Sequence, residues 1–191
     1  ELEVAIAQPV TQAIIALARL RNHGAFEGQF AWKTTGANSM NLYRTDGQSV
    51  QRALVFGRWD RSFITSLGQR ITGTTMLRSD LYNVIDPQKA TLPEYAGRSG
   101  MHGRVIPVGA IDVEWPLAGP ALGGNQTITP RVQIVVTPAN LDNSVPNEDS
   151  RAIELETGSL FDLNRFPGHD RFESGTRLNY GVQYALDRPG W

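Results

Sequence analysis

The chain has 191 residues, of which 40% are hydrophobic and 19% charged, and its formal net charge is −1. That length suits one domain, or two small ones, with a buried core that needs no disulfide or metal to hold it. A near-neutral charge disfavours a nucleic-acid binder, and the absence of cysteine excludes a disulfide framework, a thiolate zinc site and a thiol nucleophile.

Both ends of the sequence look cut. The start, Glu1–Val4, lacks an initiator methionine and the basic region of a signal peptide. The other end, Asp187–Trp191, stops at a turn signal directly after the clearest strand pattern. We therefore expect residues 1–191 to form one partial domain of a longer protein.

Alternation with a period of two residues dominates the chain. The one candidate for helical periodicity is Gln12–Leu20, which fits either a short amphipathic helix or a buried strand. No run of 18 apolar residues occurs, so no transmembrane helix is predicted. The alternation after this segment predicts long strands at residues 26–44, 50–60, 70–84, 104–116, 127–138 and 175–187. With Gln12–Leu20 counted as a possible further strand, these segments predict an all-β antiparallel meander of roughly seven strands.

Each predicted strand has one apolar and one polar face. On the last strand the apolar side chains are Thr176, Leu178, Tyr180, Val182, Tyr184 and Leu186. On the first strand Met40 and Leu42 keep the same phase as the aromatic residues Phe26, Phe30 and Trp32. In a soluble sandwich the apolar face points inward, whereas in an outer-membrane barrel it meets lipid and the polar face lines the lumen.

The connections favour the membrane barrel. Tight turns at Ser66–Gln69 and in the Gly- and Pro-rich stretch Leu117–Asn125 alternate with long connections at 86–103 and 139–174. This is the pattern of periplasmic turns and extracellular loops. Because bacterial barrels close with an even number of at least about eight strands, we expect a partial segment of a large outer-membrane barrel.

A stretch near the end of the chain resembles a known family. Residues 163–181 are similar to a signature of the LPS-assembly protein LptD (organic solvent tolerance protein) family, most closely to its alphaproteobacterial members. The signature positions are Asn164, Arg165, Phe166, Gly168, Asp170, Arg171, Gly175, Tyr180 and Gly181. Shorter matching blocks precede this stretch in the chain and occur in the family's order. They are Trp59–Phe63, Leu77–Tyr82, Val113–Pro116, Ile128–Val132 and Pro146–Asp149. The segment Thr11–Asn22 matches the family poorly, as an insertion or a divergent turn would.

The resemblance implies a mid-to-late part of a barrel of about 26 strands in the outer membrane of a Gram-negative bacterium. In that family the barrel inserts lipopolysaccharide (LPS) into the outer leaflet, and the plug lipoprotein LptE sits inside it. A periplasmic bridge delivers the lipid through an N-terminal jellyroll domain, which has no counterpart in this sequence. The resemblance therefore implies barrel wall and surface loops, with LPS, LptE, the periplasmic bridge and outer-membrane lipid as partners.

No enzymatic constellation is recognisable. The Gly-x-Ser-x-Gly, P-loop and His-Glu-x-x-His motifs are absent, and the three histidines are far apart. One loop is rich in the oxygen ligands that calcium prefers, but its spacing fits no EF-hand; it contains Asn140, Asp142, Asn143, Asn147, Glu148 and Asp149. A solvated turn is the alternative explanation. We expect no enzyme, no metal and no cofactor.

The polar face of the strands supplies the candidates for contact with LPS. Arginine's planar fork suits the phosphates of lipid A, and the lumen-facing candidates are Arg52, Arg58, Arg78, Arg131, Arg177, Asn179 and Gln183. Acidic residues share this face, so cross-strand pairing is the alternative role; they are Glu27, Asp80, Asp112, Glu114 and Asp187. For the whole chain, the alternative to a translocon segment is a soluble all-β binding module, such as a sandwich or lipocalin-like barrel.

Overall fold

The computed structural model describes residues 34–142, 144–153 and 156–188. Seven strands form one antiparallel sheet: β1 (Thr34–Leu42), β2 (Ser49–Ile64), β3 (Arg70–Ile85), β4 (Gly100–Glu114), β5 (Leu117–Ala121), β6 (Gly124–Val136) and β7 (Thr176–Asp187). The order is β1-β2-β3-β4-β6-β5, and β7 pairs with β6. Short 3-10 turns occur at Pro87–Lys89 and Pro93–Tyr95.

The sheet curls into half a barrel, which confirms the predicted all-β antiparallel fold. Four of the strands, β2, β3, β4 and β6, contain 13 to 16 residues, more than the roughly 9–11 that a tilted strand needs to cross a bilayer. Within the part of the chain described here, no helix is long and apolar enough to span a membrane. The segment Gln12–Leu20 and the start of the first predicted strand lie outside the described residues.

The predicted turn in Leu117–Asn125 is present but shorter than predicted. Leu117–Ala121 forms β5, which pairs with β6 from Leu117 opposite Ile128 to Ala121 opposite Gly124. The turn itself consists of Leu122 and Gly123, whose φ angles are 51° and 76°. Two positive φ angles match the twist of a tight hairpin, so the strand continues to this point in spite of its Gly and Pro content.

The outer face of the half-barrel is apolar and exposed along β4, β6 and β7. Directly paired residues share a face, and Ile134 lies between Ile111 and Leu178 in the register. Leu178, Tyr180 and Val182 are 60%, 74% and 70% exposed. A soluble sandwich would bury these side chains, whereas a lipid-facing belt requires them on the outside.

The inner face is covered at one end by the segment 137–175, which we call the inner loop. Instead of extending away from the barrel, it folds back over the concave side of the sheet. Leu163 and Phe172 of this loop pack against a wall cluster that consists of Ile106, Val108, Ala110 and Val135. Burial of such a side chain contributes about 1.5–3 kcal/mol, so the main core lies between the sheet and its own loop.

Met40 and Leu42 do not lie on the outer face, contrary to the phase of the predicted first strand. Leu42 is opposite Val50 and Met40 is opposite Arg52, so both lie on the inner face. Met40 packs against a second buried cluster, which consists of Val50, Tyr82, Val84 and Val145. The inner loop contributes Val145, and this contact makes apolar residues favourable on the inner side at the end where the long connections lie.

Candidate functional site on the inner wall

Three buried arginines stand on adjacent strands beneath the inner loop. This arginine cluster consists of Arg52 on β2, Arg78 on β3 and Arg104 on β4. Asp80 lies between two of them and accepts hydrogen bonds from Arg78 Nε at 2.6 Å and from Arg104 Nε at 2.7 Å. Because Asp80 is directly opposite Arg104 in the register, the pairing of β3 with β4 creates this contact.

The inner loop supplies the remaining acceptors of the arginine cluster. Arg52 Nη1 donates to Asp170 Oδ1 at 2.6 Å and to Asp149 Oδ2 at 2.8 Å. Arg104 Nη2 donates to the main-chain oxygen of Asp170 at 2.8 Å, and Arg78 donates to the main-chain oxygen of His169. These bonds hold the turn at His169 and Asp170 against the wall.

The two loop carboxylates of this network have shifted pKa values in opposite directions. Burial is the largest single influence on Asp149 and acts upward, but backbone N–H groups led by that of His169, together with Arg52, lower its pKa far below the usual range. Burial raises the pKa of Asp170, against hydrogen bonds from the Glu148 N–H and Arg52. Asp170 is fully buried, so its charge depends on these donors.

The turn that presents Asp170 requires a glycine. Gly168 has a φ angle of 83°, and a Cβ atom there would lie 2.4 Å from the main-chain oxygen of Asp149. Ser150 Oγ accepts hydrogen bonds from the N–H groups of Asp170 and Arg171 at 3.1 and 3.0 Å. The segments around 149 and 169 are therefore in close contact.

Several signature residues hold the base of the inner loop. Asn164 donates to the main-chain oxygen of Arg171 at 3.1 Å and accepts from the N–H of Glu173 at 3.1 Å. Arg165 Nε donates to both carboxylate oxygens of Glu173 at 3.0 Å. Although burial acts in the opposite direction, the bonds from Arg165 lower the pKa of Glu173. Gly175, with a φ angle of 86°, lies where the loop meets β7.

The other signature positions have different surroundings. Phe166 lines a cavity of about 420 Å³ beside the loop. Tyr180 lies on the outer face and is 74% exposed. Gly181 lies on the inner face, where its ideal Cβ would be 3.6 Å from the Phe161 ring, so a larger residue would meet the loop.

The seven candidates for LPS contact divide into two groups. The first group is bonded to the inner loop or buried on the wall. The loop accepts hydrogen bonds from Arg52, Arg78 and Arg177, and Asn179 is buried and donates to Gln133 on β6. Arg58 pairs with Asp60 at 2.9 Å, and Arg131 pairs with Asp112 at 2.8 Å while stacking 4.0 Å above Phe161. Gln183 is exposed and shares the inner face with its partner Thr129. Contact of any of them with LPS stays a prediction.

The oxygen-rich loop has protein partners. Glu148 pairs with Arg44 at 3.0 Å, Asp149 pairs with Arg52, and Asp142 accepts from Ser144. Among the residues that the structure describes, no group of three or more side chains could hold a metal ion. A cavity of about 530 Å³ opens beside this loop and is lined by Arg44, Lys89, Tyr95 and Arg151 among others.

Comparison with known proteins agrees with this architecture. The family model LptD, described as LPS transport system D, matches residues 22–190. The chain belongs to the LptD family. The LPS-assembly protein LptD of Acinetobacter baumannii is 39% identical over 61 residues, which is 32% of this chain and 8% of that protein. Its counterpart in Neisseria gonorrhoeae is 34% identical over 101 residues, 50% of this chain and 13% of that protein. The LptD chain therefore matches only about a tenth of the length of these relatives.

The sequence pattern does not indicate the roles of Arg104 and Asp149 in this network. Arg104 shares its alternation phase with Asp112 and Glu114 on the same predicted strand, so its position on the polar face could have been read. Its importance depends on Asp80 and on the inner loop, which come from other parts of the chain. Asp149 lies in the oxygen-rich loop, and its contact with Arg52 spans 97 residues of sequence.

Proposed function

We propose that this LptD chain is a mid-to-late wall segment of an outer-membrane barrel that inserts LPS into the outer leaflet. The reversed burial of the sheet carries the proposal: apolar side chains are exposed on the outside and charged ones are buried on the inside. Lipid outside and a polar lumen inside would produce this distribution. The resemblance of residues 163–181 and of the shorter sequence blocks supports a place among the alphaproteobacterial members of the family.

The segment would act without catalysis of its own. The exposed apolar side chains of the outer face, among them Ile111, Ile134 and Leu178, form an outer belt that anchors the wall in lipid. The inner face offers a hydrated path for the sugar head of LPS. The arginine cluster end of this path is covered by the inner loop, whereas Arg58, Arg131 and Gln183 lie farther along the inner face and keep part of their surface exposed, although Arg131 also stacks on Phe161 of the loop. These three are the proposed contacts for LPS or for the plug lipoprotein LptE, and the periplasmic bridge would supply the lipid.

Depletion of the complete protein in its own cell tests this function. We expect newly made LPS to stop reaching the outer surface, as measured by surface labelling of intact cells, while other outer-membrane barrels continue to assemble. Re-expression of the unchanged protein should restore surface LPS. Normal surface LPS after full depletion would contradict the proposal.

The exposed apolar outer face disfavours the alternative function, a soluble binding module. Such a module would be monomeric in plain buffer, whereas a lipid-facing wall should require detergent for extraction from the membrane fraction. Recovery of the full protein in the soluble fraction would favour the soluble module.

A further inference from the structure

The wall beneath the inner loop carries an excess of positive charge of its own. The arginine cluster contains three guanidinium groups, and the wall carboxylate that bonds to it is Asp80. The other two carboxylates of the network, Asp149 and Asp170, belong to the inner loop. With the loop moved aside, three positive charges would face one negative charge.

The loop contacts the cluster in the way that a bound oxyanion would. The hydrogen-bond acceptors that it presents are all oxygen atoms, namely the carboxylates of Asp149 and Asp170 and the main-chain oxygens of His169 and Asp170. The Phe172 ring of the loop also lies 5.9 Å from the Arg78 guanidinium. Tyr82 OH adds a donor to Asp170 Oδ1 at 3.1 Å. Several guanidinium forks that converge on a group of oxygens are the arrangement by which proteins bind phosphate.

The match between the loop and the cluster is incomplete. Arg52 Nε and Arg104 Nη1 are buried and have no hydrogen-bond acceptor in the part of the chain that the structure describes. Both side chains are 3% exposed. A buried N–H without an acceptor is unfavourable, so an anion that places an oxygen beside Arg52 Nε or Arg104 Nη1 would gain a hydrogen bond that the loop does not provide.

We propose that Arg52, Arg78 and Arg104 form a covered binding site for a phosphate group, and that the inner loop occupies this site through Asp170. A phosphate that enters the lumen competes with the Asp170 carboxylate, and its binding releases the turn at 168–171. The site rests on geometry alone, but the identification of a lipid-borne phosphate as its ligand rests on the proposed function. The inner loop is then an autoinhibitory cover of the path.

Hydrogen exchange of the complete protein in detergent tests this site. The amides of His169 and Asp170 bond to Asp149 and Ser150 in the covered state, so their exchange reports release of the turn. In an Asp170→Asn variant, inorganic phosphate at ten times its dissociation constant for the uncovered site should raise this exchange by about tenfold over sodium chloride of equal ionic strength. Asp142→Asn, in the same loop but bonded to Ser144, should leave the exchange of His169 and Asp170 unchanged.

Two charge-balanced double variants keep the test decisive. Arg52→Gln and Arg78→Gln, each combined with Asp170→Asn, remove one positive and one negative charge together, so loss of folding is less severe than for an unpaired deletion. Each should lose the phosphate response. A response that survives in a folded double variant, or a phosphate effect in Asp170→Asn no larger than that of chloride, would overturn the site.

The source of the phosphate is decided by a second arm. Purified LPS should release the turn in Asp170→Asn, and LPS from which the lipid A phosphates have been removed should not. A response to inorganic phosphate without a response to LPS would support the site and identify free phosphate as its ligand. Surface LPS after depletion remains the separate test of the proposed function.

Discussion

At the scale of the residue, neighbouring positions on β7 face opposite environments. Val182 lies on the outer belt opposite Pro130, and Gln183 lies on the inner face opposite Thr129. A charged side chain in lipid is costly near the bilayer midplane, so Val182→Arg should destabilise the assembled barrel by about 2–4 kcal/mol. Gln183→Arg should be nearly neutral because its charge stays in the polar lumen. Unfolding of each purified variant in detergent and lipid measures the difference, and equal losses would contradict the assigned faces.

A second residue-level prediction concerns the turn that carries Asp170. Gly168→Ala forces a side chain into the left-handed region, which costs roughly 1–2 kcal/mol, and brings its Cβ against the main-chain oxygen of Asp149. We expect faster hydrogen exchange at 168–171. The matched control is Gly158→Ala in the same loop, where nothing lies within 4 Å of the added atom. An unchanged exchange rate in Gly168→Ala would show that the turn does not need its observed conformation.

At the scale of the element, the base of the inner loop should respond to pH. The pKa of Glu173 is lowered in the folded protein, and the carboxylate accepts from the N–H of Arg165 at 3.0 Å. The stabilisation it gives is therefore complete above the ordinary glutamate pKa of about 4.3, and it is lost as the pH falls through the lowered value.

Exchange of the Arg165 amide, corrected for the intrinsic effect of pH, measures this loss. Protection should fall on acidification in the unchanged protein. In Glu173→Gln the protection should be weak at every pH, because no charge remains to titrate. A pH-dependent loss of similar size in Glu173→Gln would assign the titration to another group.

The sequence predicts the strands of this sheet better than it predicts the inner loop. Alternation identifies β2, β3, β6 and β7 because each side chain there has one environment, lipid or lumen. It fails at Met40, where an apolar residue faces inward because Val145 of the distant loop covers it. It also fails at Leu117–Ala121, where pairing with β6 overrides the turn tendency of Gly and Pro.

The sequence likewise predicts only part of the candidate site. The inner-face position of Arg52 and Arg78 can be read from phase, but their burial and the bonds of Arg52 to Asp170 and of Arg78 to His169 cannot. Those bonds join residues 91 to 118 positions apart, and no local pattern shows that a connection after β6 turns back over β2 and β3. The signature residues around Asp170 show that this segment resembles the family, but they do not indicate its partners.

At the scale of the whole molecule, the outer belt and the inner loop have separable roles. The belt residues of β4, β6 and β7 make their contacts on the convex side, whereas the inner loop covers the concave side. Replacement of residues 139–174 by a short hairpin turn should therefore leave membrane insertion intact. It should also uncover the arginine cluster and widen the path through this half of the barrel.

Cells that carry this replacement should become more sensitive to large hydrophilic antibiotics that an intact outer membrane excludes. A flexible Gly- and Ser-rich linker of the original length is the matched control for loop length. The linker cannot supply Asp149, Asp170, Leu163 or Phe172, so it should fail to close the path as well. If the linker restores the barrier, bulk alone closes the lumen and the buried ion pairs are dispensable. If both replacements stay impermeable while the barrel assembles normally, the inner loop does not close the path.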